Sequence, residues 1–242
     1  ANDVSLSNAN TTGSAPVDST VSLNGEIRNS QGETLTDFDG FGIVQLYDAR
    51  KYYMTAKKAI ADNDHIYGVI KGTAVNHGGK TNGYSVPNPV AQSEVIRKAL
   101  SKAKINPSTI SYIEAHGTGT SLGDPIEIDA LTDVFKKYTD KKQYCAIGSV
   151  KSNAGHLEAA AGIAQITKVL MQFKSDTIFP SRLNSDSLNH NIHFEDTPFY
   201  VQTSAQKWVV DNNRENPEGL MRAGVSSFGV GGVNVHIVLE EY

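Results

Sequence analysis

An α/β fold built on one mixed sheet is predicted by three features of the sequence. Segments of strand character alternate with helical apolar stripes. Three of the strands run directly into loops, two of them rich in glycine. The last two strand-like segments flank a "VGG" turn and read as an antiparallel hairpin at the edge of the sheet. No internal repeat or second domain boundary breaks this order.

Residues 1–37 are rich in Ser, Asn, Thr and Gly; "NANTTGSAP" and "RNSQGETLTD" carry turn chemistry with little apolar period, so they read as loop. "GFGIVQL" (40–46) reads as a short strand. "ARKYYMTAKKAIADND" (49–64) reads as a helix with Tyr53, Ala56, Ala59 and Ile60 on one side. "HIYGVIKGTAVN" (65–76), rich in β-branched residues, makes a long strand. A glycine-rich loop, "HGGKTNGYSVPNP", leads to helix 90–104, whose stripe is Val95, Ile96, Ala99, Leu100 and Ala103. "STISYIEA" (108–115) is a strand that delivers His116 at its carboxyl end.

The next helix, 125–138, carries a start signal: Asp124 as cap, Pro125 in the first turn where its missing N–H costs nothing, and Glu127 at capping-box spacing. "YCAIGSV" (144–150) reads as a buried strand ending at "KSNAGH". "LEAAAGIAQITKVLMQF" (157–173) is a helix whose Ala and Gly content predicts close packing on both sides. "GLMRAGVSSFG" and "VNVHIVLEE" form the closing hairpin.

At 242 residues the chain is long enough to bury a sizeable core. Its net charge of −4, from 22 basic and 26 acidic residues, is too small and too mixed for a nucleic-acid or anionic-membrane surface. A single cysteine, Cys145, excludes an internal disulfide and a cysteine-based metal cluster, and fits a reducing, cytoplasmic setting. No window approaches the roughly 18 apolar residues of a membrane span, and the first residues do not form a signal peptide.

Loops 116–124, 151–156 and 229–232 each follow a strand, and ligands of α/β sheets gather at the carboxyl ends of strands. That convergence would bring His116, Lys151 and His156 together. Singly, each has a plain reading: a histidine at a strand end is more often structural than catalytic, and "GTGT" is by itself a tight turn open to an anion. His190 and His193 stand at a spacing a metal could use, but the segment offers no third ligand of suitable type and reads as a polar loop. His236, between Val235 and Ile237, reads as structural; Cys145, within an apolar strand, reads as inert.

Together, "EAHGTGTSLGDPIE", "IGSVKSNAGHLEAAAGI" and "SSFGVGGVNVHIVLEE" resemble the C-terminal half of a β-ketoacyl synthase, and more narrowly the ketosynthase domain of a modular polyketide synthase. "GGKTNGYSVPNP" resembles bacterial assembly lines whose acyltransferase acts in trans. The resemblance implies a thiolase-like fold of two similar βαβαβαββ halves. Residues 59–242 would form the C-terminal half and 1–58 a remnant of the N-terminal one. It implies decarboxylative Claisen condensation of an acyl thioester with a malonyl unit held by an acyl carrier protein. His116 and His156 would stabilise charge on the malonyl thioester oxygen, and Lys151, with Asn153 in its loop, would organise them. Thr118 and Thr120 would bind the phosphopantetheine arm, the substrate carrier, with no cofactor bound directly. Phe228 and Val230 would border the substrate, the Val230 N–H forming part of an oxyanion hole.

The nucleophilic cysteine of such enzymes sits in a "TACSSS"-like motif of the first half, which this sequence lacks; "DVSLSNANTTG" resembles the segment that follows it. Where the family has a "GEGAG"-like turn, this chain has "DGFGIVQL". Two readings follow. One is a fragment of an active ketosynthase, inert without its thiol, whose partners are the N-terminal half, a carrier protein and a second copy in a homodimer. The other is a natural cysteine-less or split protein serving carrier docking, dimerisation or complementation.

Overall fold

The computed structural model describes residues 53–242 apart from 82, 84–85, 182–187 and 211, together with short strands at 3–4, 19–22, 27–29 and 41–44. The core elements are β1 (Phe41–Val44), β2 (Tyr53–Thr55), α1 (Ala56–Ala61), β3 (Ile66–His77), α2 (Pro89–Ala103) and β4 (Tyr112–Glu114). They continue with α3 (Gly123–Phe135), β5 (Cys145–Gly148), α4 (Lys151–Ala154), α5 (Ala161–Ser175), β6 (Phe199–Val201), β7 (Arg222–Phe228) and β8 (Val233–Glu240).

Eight strands form one mixed sheet in the order β6-β5-β4-β7-β8-β3-β1-β2. Strands β6, β5, β4 and β7 run parallel, so their carboxyl ends share one edge. Strand β8 turns back on β7, and β3 turns back on β8. Helices α2 and α3 cover one face, where Val95, Ile96, Leu100, Leu131 and Phe135 pack on Ile113, Cys145 and Phe199. Helix α5 covers the other, with Ile166, Val169 and Phe173 against Tyr112, Ala223, Val225 and Leu239. This two-sided burial explains the apolar character of the strands.

The closing hairpin is a correction to the sequence reading: it lies in the middle of the sheet, not at its edge. Its strands are covered from both sides, and Ala223, His236, Val238 and Leu239 have no exposed surface, which an edge position would not provide. Segment 49–64 is also not one helix. Residues Tyr53–Thr55 pair antiparallel with β1, leaving a helix of six residues with Ala59 buried and Ile60 exposed. Sheet pairing overrides a weak helical preference here. The loop expected over 1–37 contains strands Asp3–Val4, Ser19–Ser22 and Ile27–Asn29, paired antiparallel; the Asn24-Gly25 dipeptide between the last two is a hairpin signal in the sequence. The strand expected over 108–115 begins instead with a turn at Pro107–Thr109.

Helix α2 starts as its sequence directs: Asn88 accepts the N–H groups of Val90 and Ala91 at 3.0 and 3.2 Å, and Pro89 occupies the first position. Helix α3 does not start as expected. It begins at Gly123, and neither Asp124 nor Glu127 caps it, because both carboxylates turn toward the loop before it.

Candidate active site

The carboxyl edge of the parallel strands brings three loops together. Strand β4 ends at Glu114 and delivers His116; β5 ends at Gly148 and leads to Lys151 and His156; β7 ends at Phe228. The rings of His116 and His156 meet edge to face with centroids 5.9 Å apart, and the Phe228 ring stands 5.7 Å from His116. The Lys151 ammonium donates to the His116 carbonyl at 2.6 Å. Histidine, lysine and histidine are thus gathered from two loops 35 residues apart in the chain.

The hydrogen bonds fix which nitrogen carries each proton. His116 Nδ1 accepts the N–H of Phe228 at 3.3 Å, and His156 Nδ1 accepts the N–H of Glu158 at 3.0 Å. A neutral imidazole with an accepting Nδ1 is protonated at Nε2, so both rings present a donor there. Burial, then the Lys151 ammonium and His156, depress the pKa of His116 from 6.5 to about 4. His116 is therefore neutral at physiological pH.

The loop around His116 is held from below. Glu127 accepts the N–H of His116 at 2.8 Å and that of Gly117 at 2.9 Å, one on each oxygen. Gly117 has φ +47°, and a Cβ there would lie 2.8 Å from Ser149 Cβ, so this residue must be glycine. Asp124 accepts the N–H of Gly119 at 3.1 Å. Gln165 of α5, fully buried, donates through Nε2 to the carbonyls of Ala115 and Ser226 at 2.8 and 2.9 Å, tying the ends of β4 and β7.

The other anticipated residues are distributed around this centre. Thr118 and Thr120 sit on the exposed loop, their hydroxyls 3.4 Å apart, and Thr120 also accepts the N–H of Gly123. Asn153 is exposed and its amide donates to the Pro180 carbonyl at 3.3 Å. Val230 stands 63% exposed at the hairpin tip. Cys145 is fully buried in β5, and burial pushes its thiol well above the ordinary value, so it presents no thiolate. His193 pairs with Glu195 at 3.3 Å on the surface; among the described residues no three His, Cys, Asp or Glu side chains gather as a metal site. A cleft of about 610 Å³ opens behind the 117–124 loop, lined by Gly119, Asp124, Glu127, Ser149, Ser181 and His190, and neither His116 nor His156 lines it.

Sequence reasoning overlooked Glu127 as the support of His116, and also Glu114, Gln165 and Lys168. The signal was available: a carboxylate inside the apolar run "SYIEA", and Gln165 and Lys168 beside the apolar stripe of Ile166 and Val169. Such residues are buried at a cost unless they are paired.

The mixed sheet that gathers a lysine and two histidines at the carboxyl ends of its parallel strands has the thiolase-like fold of ketosynthases. Residues 67–185 match the β-ketoacyl synthase, C-terminal domain, and the chain belongs to that family. It is 62% identical over 188 residues to polyketide synthase PksL of Bacillus subtilis (strain 168), covering 76% of this chain and 4% of that protein. It is 50% identical over 213 residues to polyketide synthase ThaG of Burkholderia thailandensis, covering 87% and 4%. The ketosynthase from module 6 of the bacillaene synthase of Bacillus subtilis 168 superposes with a TM-score of 0.73 at 48% identity, over 78% of this chain and 33% of that one. The chain spans about 4% of the length of these two curated relatives and a third of that solved ketosynthase.

Proposed function

We propose that residues 59–242 are the C-terminal half of a ketosynthase domain from a modular polyketide synthase, with 1–58 a remnant of the first half. Completed by a cysteine-bearing half, it catalyses decarboxylative condensation of an acyl thioester with a malonyl unit on an acyl carrier protein. One observation carries this reading: both site histidines accept a backbone N–H at Nδ1, leaving Nε2 of each as the donor, on rings whose centroids are 5.9 Å apart.

Loss of carbon dioxide from the malonyl group breaks its C–C bond and sends the electron pair toward the thioester oxygen. The two Nε2–H donors stabilise the charge that develops there, and His116, kept neutral by burial, does so without surrendering its proton. The resulting enolate carbon attacks the acyl thioester carbonyl, and the thiolate that held the acyl group leaves. That thiolate belongs to the cysteine-bearing half, since Cys145 is sealed in β5. Thr118 and Thr120, on the exposed rim beside His116, suit hydrogen bonding to a phosphopantetheine arm, and Phe228 and Val230 border the acyl group. The enzyme works in the cytoplasm, with a carrier protein as partner. By itself the chain does not form an acyl-enzyme.

The test is complementation. A half carrying the "TACSSS"-type motif is added to this chain, and acylation and carbon dioxide release from malonyl carrier protein are followed. His116→Ala and His156→Ala each lower carbon dioxide release by roughly 10²–10³-fold while leaving acylation of the cysteine in place. Unchanged release in either variant removes that histidine from the role.

A further inference from the structure

The two histidine loops are joined beneath the site by a buried carboxylate that the chemistry above does not use. Glu114, the last residue of β4, has no exposed surface. One of its oxygens accepts the N–H of Val150 at 2.5 Å. The other accepts the Tyr112 hydroxyl at 2.6 Å and pairs with Lys168 Nζ of α5 at 2.9 Å. The Lys168 side chain is only 7% exposed, and its ammonium lies 5.6 Å from the centre of the Tyr112 ring. Burial raises the Glu114 pKa, while Lys168 and the Tyr112 and Val150 bonds oppose that rise.

A buried ion pair adds little net stability, because desolvating both charges offsets their attraction. The placement of this pair gives it another use. Val150 immediately precedes Lys151, whose ammonium grips the His116 carbonyl, and His116 lies two residues beyond Glu114. The carboxylate therefore clamps the start of the Lys151–His156 segment to the strand that carries His116.

We propose that the Glu114–Lys168 pair is a positioning device that holds Val150, and through it Lys151 and His156, in register with His116. The proposal rests on the reading that the two histidines act together, but its test does not depend on catalysis.

The measurement is an NMR titration of the His116 imidazole in this chain. That ring is flanked by the Lys151 ammonium, the His156 ring and Phe228, with Glu127 on its backbone side. In a Glu114→Leu, Lys168→Met double variant both charges leave together, so no lone charge is buried and the direct field at His116 changes little. Val150 then loses its clamp and Lys151 moves away. Loss of the nearby Lys151 charge removes the second cause of the depression, so the His116 midpoint rises above about 4 while burial, the larger cause, keeps it below 6.5. A folded double variant whose His116 still titrates near 4 overturns the proposal. Should the double variant fail to fold, Glu114→Gln and Lys168→Met are titrated singly, and an unchanged midpoint in both overturns it equally. If the midpoint moves but carbon dioxide release in the completed enzyme ignores His116, the functional reading falls and the positioning role stands.

Discussion

Glu127 and His116 are joined by a hydrogen bond yet respond to pH in opposite senses. Burial pushes Glu127 from 4.5 up to about 7, against the N–H groups of Gly117 and His116 that favour its charge. Between those values the folded chain keeps a proton that the unfolded chain has released. Its contribution to stability is therefore full below about 4.5 and declines as pH rises to about 7. His116, held at about 4 instead of 6.5, works in reverse: the unfolded chain takes up a proton first, so stability is lost as pH falls through that window. In Glu127→Gln the opposing slope disappears, and stability should climb from about pH 5 to about pH 7 more steeply than in the unaltered chain, as read from urea midpoints. Equal slopes would mean that Glu127 is already ionised throughout the window.

At the scale of elements, the close approach of α2 to β3 sets the limits. A Cβ on Gly72 would lie 2.5 Å from the Ala99 carbonyl oxygen and 2.6 Å from the Ala103 nitrogen, both of them helix backbone that has no rotamer to yield. Gly72→Ala should cost about 3 kcal/mol of stability, measured by urea unfolding, because the helix must lift from the sheet. A loss below about 0.5 kcal/mol would show that the helix shifts freely. The lift would reach the hairpin as well, since β8 lies between β3 and β7 and α2 covers both β3 and β8. The motif "SSFGVGGVNVHIVLEE" thus has two tasks: it supplies the Phe228 N–H to His116, and it fills the centre of the sheet.

At the scale of the molecule, α5 buries one face, and the described residues leave apolar side chains of the other exposed. Leu157, Ile163 and Met171 are 40%, 44% and 56% exposed, and with Ala160, Phe179 and Pro180 they line an apolar groove of about 550 Å³. The expectation of close packing on both sides of this helix is met on one side alone among the described residues. An apolar face of this extent favours association. The chain should sediment as a dimer or larger species, and Ile163→Lys with Met171→Glu should shift it toward monomer without changing its far-UV circular dichroism. A monodisperse monomer of the unaltered chain at high concentration would count against that association. Addition of the cysteine-bearing half should compete with self-association if both use this face.

The sequence by itself determined the alternation of strands and helices, the apolar stripe of α2 and the convergence of His116, Lys151 and His156. Each of these is local, or follows from the rule that loops after parallel strands share one edge. It also marked Cys145 as inert, because an apolar strand is no place for a thiolate. Only the tertiary structure decided the rest. The hairpin is central because both of its faces are covered, which no pattern within the hairpin states. Asp124 and Glu127 read as caps, since spacing alone gives the helix first claim on them; folding places unpaired N–H groups of the 116–119 loop closer, and they take the carboxylates instead. The Glu114–Lys168 pair spans 54 residues, and only packing of α5 on β4 brings its two charges together.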